Sequence, residues 1–188
     1  MSLADLLEVN KNESEDAKKP KIFRAKILGI IYEDIVEIGL KELYGFNIKK
    51  RLRRGPYDFE LEKDGKQFVA EAKCWTAYLE GAKKWLDVEY LRKIRDKQIE
   101  KGMDSFRAFL KGEGDTKGKE RILLWWNGDD ETRETAKKEF GFYEVYYVKR
   151  ILEELKRSGS KNMKQYVSRC KSWAVELFDA LAPAAVPS

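Results

Sequence analysis

Residues 55–73 read GPYDFELEKDGKQFVAEAK, and the fold turns on how this stretch pairs with itself. Its midpoint, Asp64-Gly65, is among the strongest two-residue hairpin signals. A type I′ turn needs positive φ at both central positions, and Asp-Gly adopts them at low cost. The turn makes strands of 57–63 and 66–73 and fixes their register. Lys63 then faces Lys66; beyond them Leu61 faces Phe68, Phe59 faces Ala70 and Tyr57 faces Ala72, all on one apolar face. On the other face Glu62 meets Gln67, Glu60 meets Val69 and Asp58 meets Glu71, with Lys73 projecting two residues beyond. Like charges directly opposite destabilise a sheet. The run Phe68-Val69-Ala70 marks this strand as central, where an unpartnered carboxylate pair is costly. Either Lys73 alone neutralises a charged outer face, or a hard divalent cation sits between the carboxylates.

Outward from the hairpin, the spacing of Ile27, Ile30, Ile31, Ile35 and Ile38 predicts a helix over 22–44, stopped by Gly45. Residues 46–54 read as a strand interrupted by Gly55-Pro56. Downstream, 74–88 is an irregular connection carrying Trp75, Tyr78 and Trp85, and a second helix is predicted over 88–110. Residues 121–126 form a buried strand, and Asn127-Gly128-Asp129-Asp130 a turn that caps a helix ending near Phe140. Residues 142–148 are a strand and 149–156 a helix. Ser158-Gly159-Ser160 then breaks the chain before a last helix over 161–181. The expected fold class is α/β, a mixed central sheet flanked by helices. It divides into a flexible leader (1–20), a core (21–157), and a C-terminal helix and tail (158–188). That last helix packs on the core or on a dimer partner through the stripe Met163, Tyr166, Val167, Cys170, Trp173, Ala174, Leu177 and Leu181.

Composition narrows the chemistry. The 188 residues suit one domain with a real core. Charged residues reach 38%, and 38 Lys+Arg against 33 Asp+Glu leave +5 and a pI near 9.0, a balance that leans towards an anionic partner. There is no histidine, which removes Ser-His-Asp and Cys-His hydrolases. The two cysteines, Cys74 and Cys170, have no metal-ligand spacing, so no zinc site is expected. No apolar run reaches the roughly 20 residues that span a bilayer. Met1 to Leu7 is too short and acidic for a secretory signal. A cytoplasmic protein without membrane contact is the expectation.

Gly55-Pro56-Tyr57-Asp58, a twelve-residue gap and Glu71-Ala72-Lys73 resemble the PD…(D/E)xK pattern of the restriction-endonuclease-like nuclease superfamily. Upstream, Gly29-Ile30-Ile31-Tyr32-Glu33, continuing to Leu43-Tyr44-Gly45-Phe46, resembles the first helix of archaeal Holliday-junction resolvases and related nucleases. The match covers residues 29–73. It departs in one place, because Tyr57 separates Pro56 from Asp58. The resemblance implies a restriction-endonuclease-like core and a metal-dependent endonuclease that hydrolyses DNA phosphodiester bonds in restriction, repair or junction processing. It implies that Asp58, Glu71 and the Ala72 backbone carbonyl hold Mg²⁺ or Mn²⁺ and that Lys73 positions the attacking water. Glu33 would bind water or a second metal, with Glu37 one turn along as its substitute. Gln98 is expected as a polar helper on the second helix, set against a glutamine satisfied by backbone.

Lys49, Lys50, Arg51, Arg53 and Arg54 are expected to meet DNA phosphates, the alternative being a charged strand edge. Trp75, Tyr78 and Trp85 either stack on bases or pack in the core. Two further functions stay open: a catalytically silent nucleic-acid-binding module of the same fold, and a scaffold for protein partners.

Overall fold

The computed structural model describes residues 19–52, 55–73, 85–98 and 103–181, with backbone only for 19–28 and 174–181. Helix α1 (Lys19–Glu42) leads into strand β1 (Asn47–Arg51). The hairpin strands are β2 (Phe59–Lys63) and β3 (Lys66–Lys73). Helices α2 (Val88–Arg95) and α3 (Asp104–Lys111) follow, then β4 (Glu120–Trp125), α4 (Asp130–Phe140), β5 (Glu144–Tyr147), α5 (Val148–Arg157) and α6 (Lys161–Leu181). The expected leader lies, but for its last two residues, outside the described residues, as do Arg53, Arg54, Trp75 and Tyr78.

The sheet is mixed, ordered β1-β2-β3-β4-β5, antiparallel from β1 to β3 and parallel from β3 to β5. Asp64 at φ 51° and Gly65 at φ 75° make the expected turn, and the register follows: Lys63 opposite Lys66, Leu61 opposite Phe68, Phe59 opposite Ala70. Helices cover both faces. One core joins Val69, Leu123 and Trp125 to Leu91, Ile94, Phe106, Phe109 and Phe140; the other joins Phe59, Leu61, Phe68, Ala70, Ile122 and Leu124 to Val36, Leu40, Val148 and Ile151. Strands β3 and β4 are thus buried on both sides, which is why their sequences are apolar runs and not alternations. Met163 and Tyr166 dock α6 against the second core's side of the domain. Among the described residues no helix is long and apolar enough to cross a membrane.

Three expectations change. The helix over 88–110 is two helices. Asp96 caps α2 and Lys97 turns to φ 60°, a left-handed break with no glycine to announce it. The face of α1 that is buried is Tyr32, Val36 and Leu40, with Ile35 and Ile38 only flanking it; isoleucines on several sides of one helix blur its period. Finally, Tyr57 leaves the face of Phe59 and Leu61 and joins the opposite core. Residues 55–58 bend instead of continuing β2, so strict alternation fails there.

Candidate active site

The ladder between β2 and β3 ends at Phe59–Ala70, whereas β3 runs on to Lys73 against β4. The last turnings of β3 are therefore flanked by a strand on one side only. The bent segment before β2 occupies the other side. It is pinned there by two backbone bonds, Asp58 N–H to the Ala70 carbonyl (3.0 Å) and Leu52 N–H to the Asp58 carbonyl (2.8 Å). Asp58 is consequently not a ladder partner of Glu71. Its carboxylate folds across the gap and accepts the Ala72 N–H at 2.7 Å. In extended chain the N–H and C=O of one residue point to the same edge, so the Ala72 carbonyl faces Asp58 as well.

The two carboxylates still act on each other: both are held above the ordinary carboxylate range, first by burial, and each lies close enough to influence the other's titration. Burial pushes the Glu71 carboxyl up to about 7, with the nearby charge of Asp58 and Glu33 adding to it and Lys73 opposing. Glu71 is 5% exposed. Two carboxylates that interact in this way titrate as a pair. Lys73 lies beside them: its ammonium is ion-paired to Glu71 and sits 4.8 Å from the centre of the Phe106 ring. Glu71 is thus interior while Asp58 and Lys73 are half-buried, so the cluster is not a fully solvated outer face.

Glu33 approaches from α1, near enough for the charge of Asp58 to act on it. Its carboxyl is raised by burial and then by the charge of Asp58, and lowered by Arg51. Glu37, the alternative one turn along, pairs instead with Lys41 at 2.6 Å. Of the expected site residues, the structure brings together Asp58, Glu71, Lys73 and the Ala72 backbone, with Glu33 near enough for its charge to act on the Glu71 carboxyl. Gln98 is not among the buried helix residues expected; it is exposed, beyond the end of α2, with its N–H on the Lys93 carbonyl. Lys50 is exposed, Lys49 is exposed and ion-paired to Glu62, and Arg51 is turned inward onto α1.

Among the described residues, no three histidine, cysteine or acidic side chains converge closely enough to hold a metal by themselves. Glu33 stands beside the Asp58–Glu71 pair, held by Arg51, and does not complete a triad. The protein donors on offer are two carboxylates and a backbone carbonyl. Mg²⁺ is commonly held in that way, by one or two carboxylates with waters and substrate phosphate oxygens making up the rest. Two neighbouring carboxyls held towards their protonated forms, with Lys73 offsetting only part of their charge, suit such an ion.

Sequence reading missed the residues that steady Tyr57 next to Asp58. The Tyr57 hydroxyl donates to Glu60 (2.9 Å) and accepts from the Lys119 ammonium (2.9 Å). Lys119 lies 62 positions away, and nothing in its local sequence marks it.

Neither a protein-family model nor a curated protein matches the chain. Among solved structures it is similar to the restriction endonuclease FokI bound to DNA, at 12% identity and a TM-score of 0.35 over 88% of this chain. It spans 32% of that protein's length. Likeness at that level leaves the geometry of the site itself to carry the function.

Proposed function

We propose that this protein is a Mg²⁺- or Mn²⁺-dependent nuclease that hydrolyses DNA phosphodiester bonds. One observation carries the proposal: a buried Glu71 and a half-buried Asp58 whose carboxyls influence each other at the open end of β3, with the Lys73 ammonium ion-paired to Glu71. A divalent ion bound there would act as a Lewis acid on the phosphoryl oxygens and lower the pKa of a bound water. The chain's own residues set the conditions for that. Asp58 is fixed by the Ala72 N–H, so its carboxylate offers one defined position. Glu71 sits on a strand whose backbone is fixed against β4, opposite Leu123, so its position along the site is set by the sheet. The Lys73 ammonium, freed from Glu71 once a cation takes that charge, is placed to hydrogen-bond the attacking water or a phosphoryl oxygen. Glu33, with its carboxyl pulled towards protonation, can hold a proton or a water at the edge of the site.

The test is a cleavage panel of linear duplex, single strand, flap and four-way junction, with Mg²⁺, Mn²⁺ or EDTA. Cutting of at least one DNA with a divalent ion and none in EDTA is the expected result. Equal cutting in EDTA, or none with either ion, rejects the proposal. Binding without cutting would identify a silent nucleic-acid-binding module in which the Lys73–Glu71 pair is permanently closed.

A further inference from the structure

Arg51 stands at the end of β1, in the basic run that suggests phosphate contacts, yet its guanidinium is fully engaged elsewhere. Its Nε and Nη2 both donate to Glu33 Oε2, at 3.1 and 2.9 Å. Its Nη1 donates to Asp34 and lies 3.6 Å from Glu37 Oε2. The plane rests 5.9 Å from the centre of the Phe59 ring, and Phe59 is both its register partner across β1–β2 and the residue after Asp58. Three acidic side chains surround one cation, so the local field repels a phosphate. The side chain is also only 27% exposed.

We propose that Arg51 is a positioning residue and not a DNA contact. Resting on the nuclease reading above, it fixes the Glu33 carboxylate beside Asp58 and ties α1 to the strand that leads into the site. The geometry suits arginine specifically. A planar fork can bond two neighbouring carboxylates at once while lying on a ring; an ammonium on a flexible stem cannot do both. Left without the guanidinium, Glu33, Asp34 and Glu37 would repel one another on one side of α1, and Glu33 would turn away from Asp58.

Two measurements test this on the full chain. The first needs no activity: melting temperatures in EDTA of wild type, Arg51→Met, Glu33→Gln and the double variant. If Arg51 holds Glu33, the double variant loses less than the sum of the single losses, by about 2–4 °C. Additive losses overturn the proposal. The second is kinetic, with Mn²⁺ and whichever DNA is cut. Arg51→Met is expected to lower kcat on the order of 10- to 100-fold, the scale of a misplaced group. KM, DNA affinity in EDTA and the salt slope of that affinity stay within twofold. Arg51→Lys is expected to recover part of the kcat, and it serves in both measurements if Arg51→Met does not fold. Weaker DNA binding with a flatter salt slope would make Arg51 a phosphate contact and overturn the proposal. A wild type that cuts nothing would reject the nuclease function, while the melting cycle still decides whether Arg51 holds Glu33.

Discussion

At the scale of single residues, the central question is why a folded domain places Asp58 against Glu71. Their proximity is unfavourable in the metal-free protein: Glu71 is buried, Asp58 half-buried, and both are held towards the protonated form. Asp58→Asn keeps an oxygen for the Ala72 N–H, now bonded at 2.7 Å, and removes one of the two charges. The variant is expected to melt at the wild-type temperature or slightly above it in EDTA. Mn²⁺ should raise the melting temperature of the wild type, since a ligand bound by the folded state alone stabilises by mass action. The variant should lose that rise along with cleavage. Thermal melts of the two proteins with and without Mn²⁺ check this without any DNA. An equal rise in both would place the ion elsewhere. The residue scale is also where sequence reading was weakest. Glu71 and Lys73 were visible because they lie on one face of a hairpin strand, and Asp58 because it immediately precedes the other strand, although its bend was not legible. The engagement of Arg51 by Glu33, Asp34 and Glu37 depends on how α1 lies across β1, and no local pattern records that.

At the scale of elements, what was legible depended on whether a turn or a cap residue set the geometry. Asp64-Gly65 fixed a register that the structure reproduces from Lys63–Lys66 to Phe59–Ala70, though not for Asp58 and Tyr57 beyond it. Asp129 was recognisable as a cap, and its carboxylate does accept the Thr132 N–H at 2.7 Å. The break between α2 and α3 carried no such mark. Lys97 adopts a left-handed conformation that its residue type does not suggest, so an apolar stripe running through 88–110 passed for one helix and Gln98 was placed inside it. Packing between elements is equally silent in a sequence. Helices α1 and α5 approach so closely that a Cβ on Gly39 would lie 2.3 Å from Ile151 Cγ2. Ile151 is fully buried, so it has little room to yield. Gly39→Ala should therefore destabilise the protein despite alanine's better helix propensity, by about 1–3 kcal/mol, read as a lower midpoint in urea. A neutral or stabilising effect would mean that the two helices can part. Such parting would also move Glu33, which rides on α1, so activity and stability should fall together in this variant.

At the scale of the whole molecule, the acidic groups fall into two populations that pull stability in opposite directions with pH. Surface carboxylates such as Asp96, Asp129 and Glu139 are held below their ordinary range, by Arg95, the Thr132 N–H and Arg92 respectively. Each favours the folded state above its unfolded pKa and loses that contribution as the pH falls through its folded one, so their effect is felt in acid, below about pH 4. Glu33, Asp58 and Glu71 do the reverse. Their carboxyls are raised on folding, so the folded state binds more protons than the unfolded one. Stability from these groups is full below the ordinary carboxylate range and is lost as pH rises through the folded value, which for Glu71 is about 7. In EDTA the protein is therefore expected to be most stable near pH 5 and to weaken towards pH 8. Glu71 alone would set an upper bound on the order of 3 kcal/mol on that loss. Glu71→Gln should remove most of the slope. Mn²⁺ should flatten or reverse it in the wild type, because the ion binds the ionised pair and gains most where protons compete least. Melting temperatures between pH 5 and 8, in EDTA and in Mn²⁺, separate these terms. A metal-free wild type that grows more stable across that interval would mean that the buried pair does not hold its proton, and the case for a cation between Asp58 and Glu71 would fall with it.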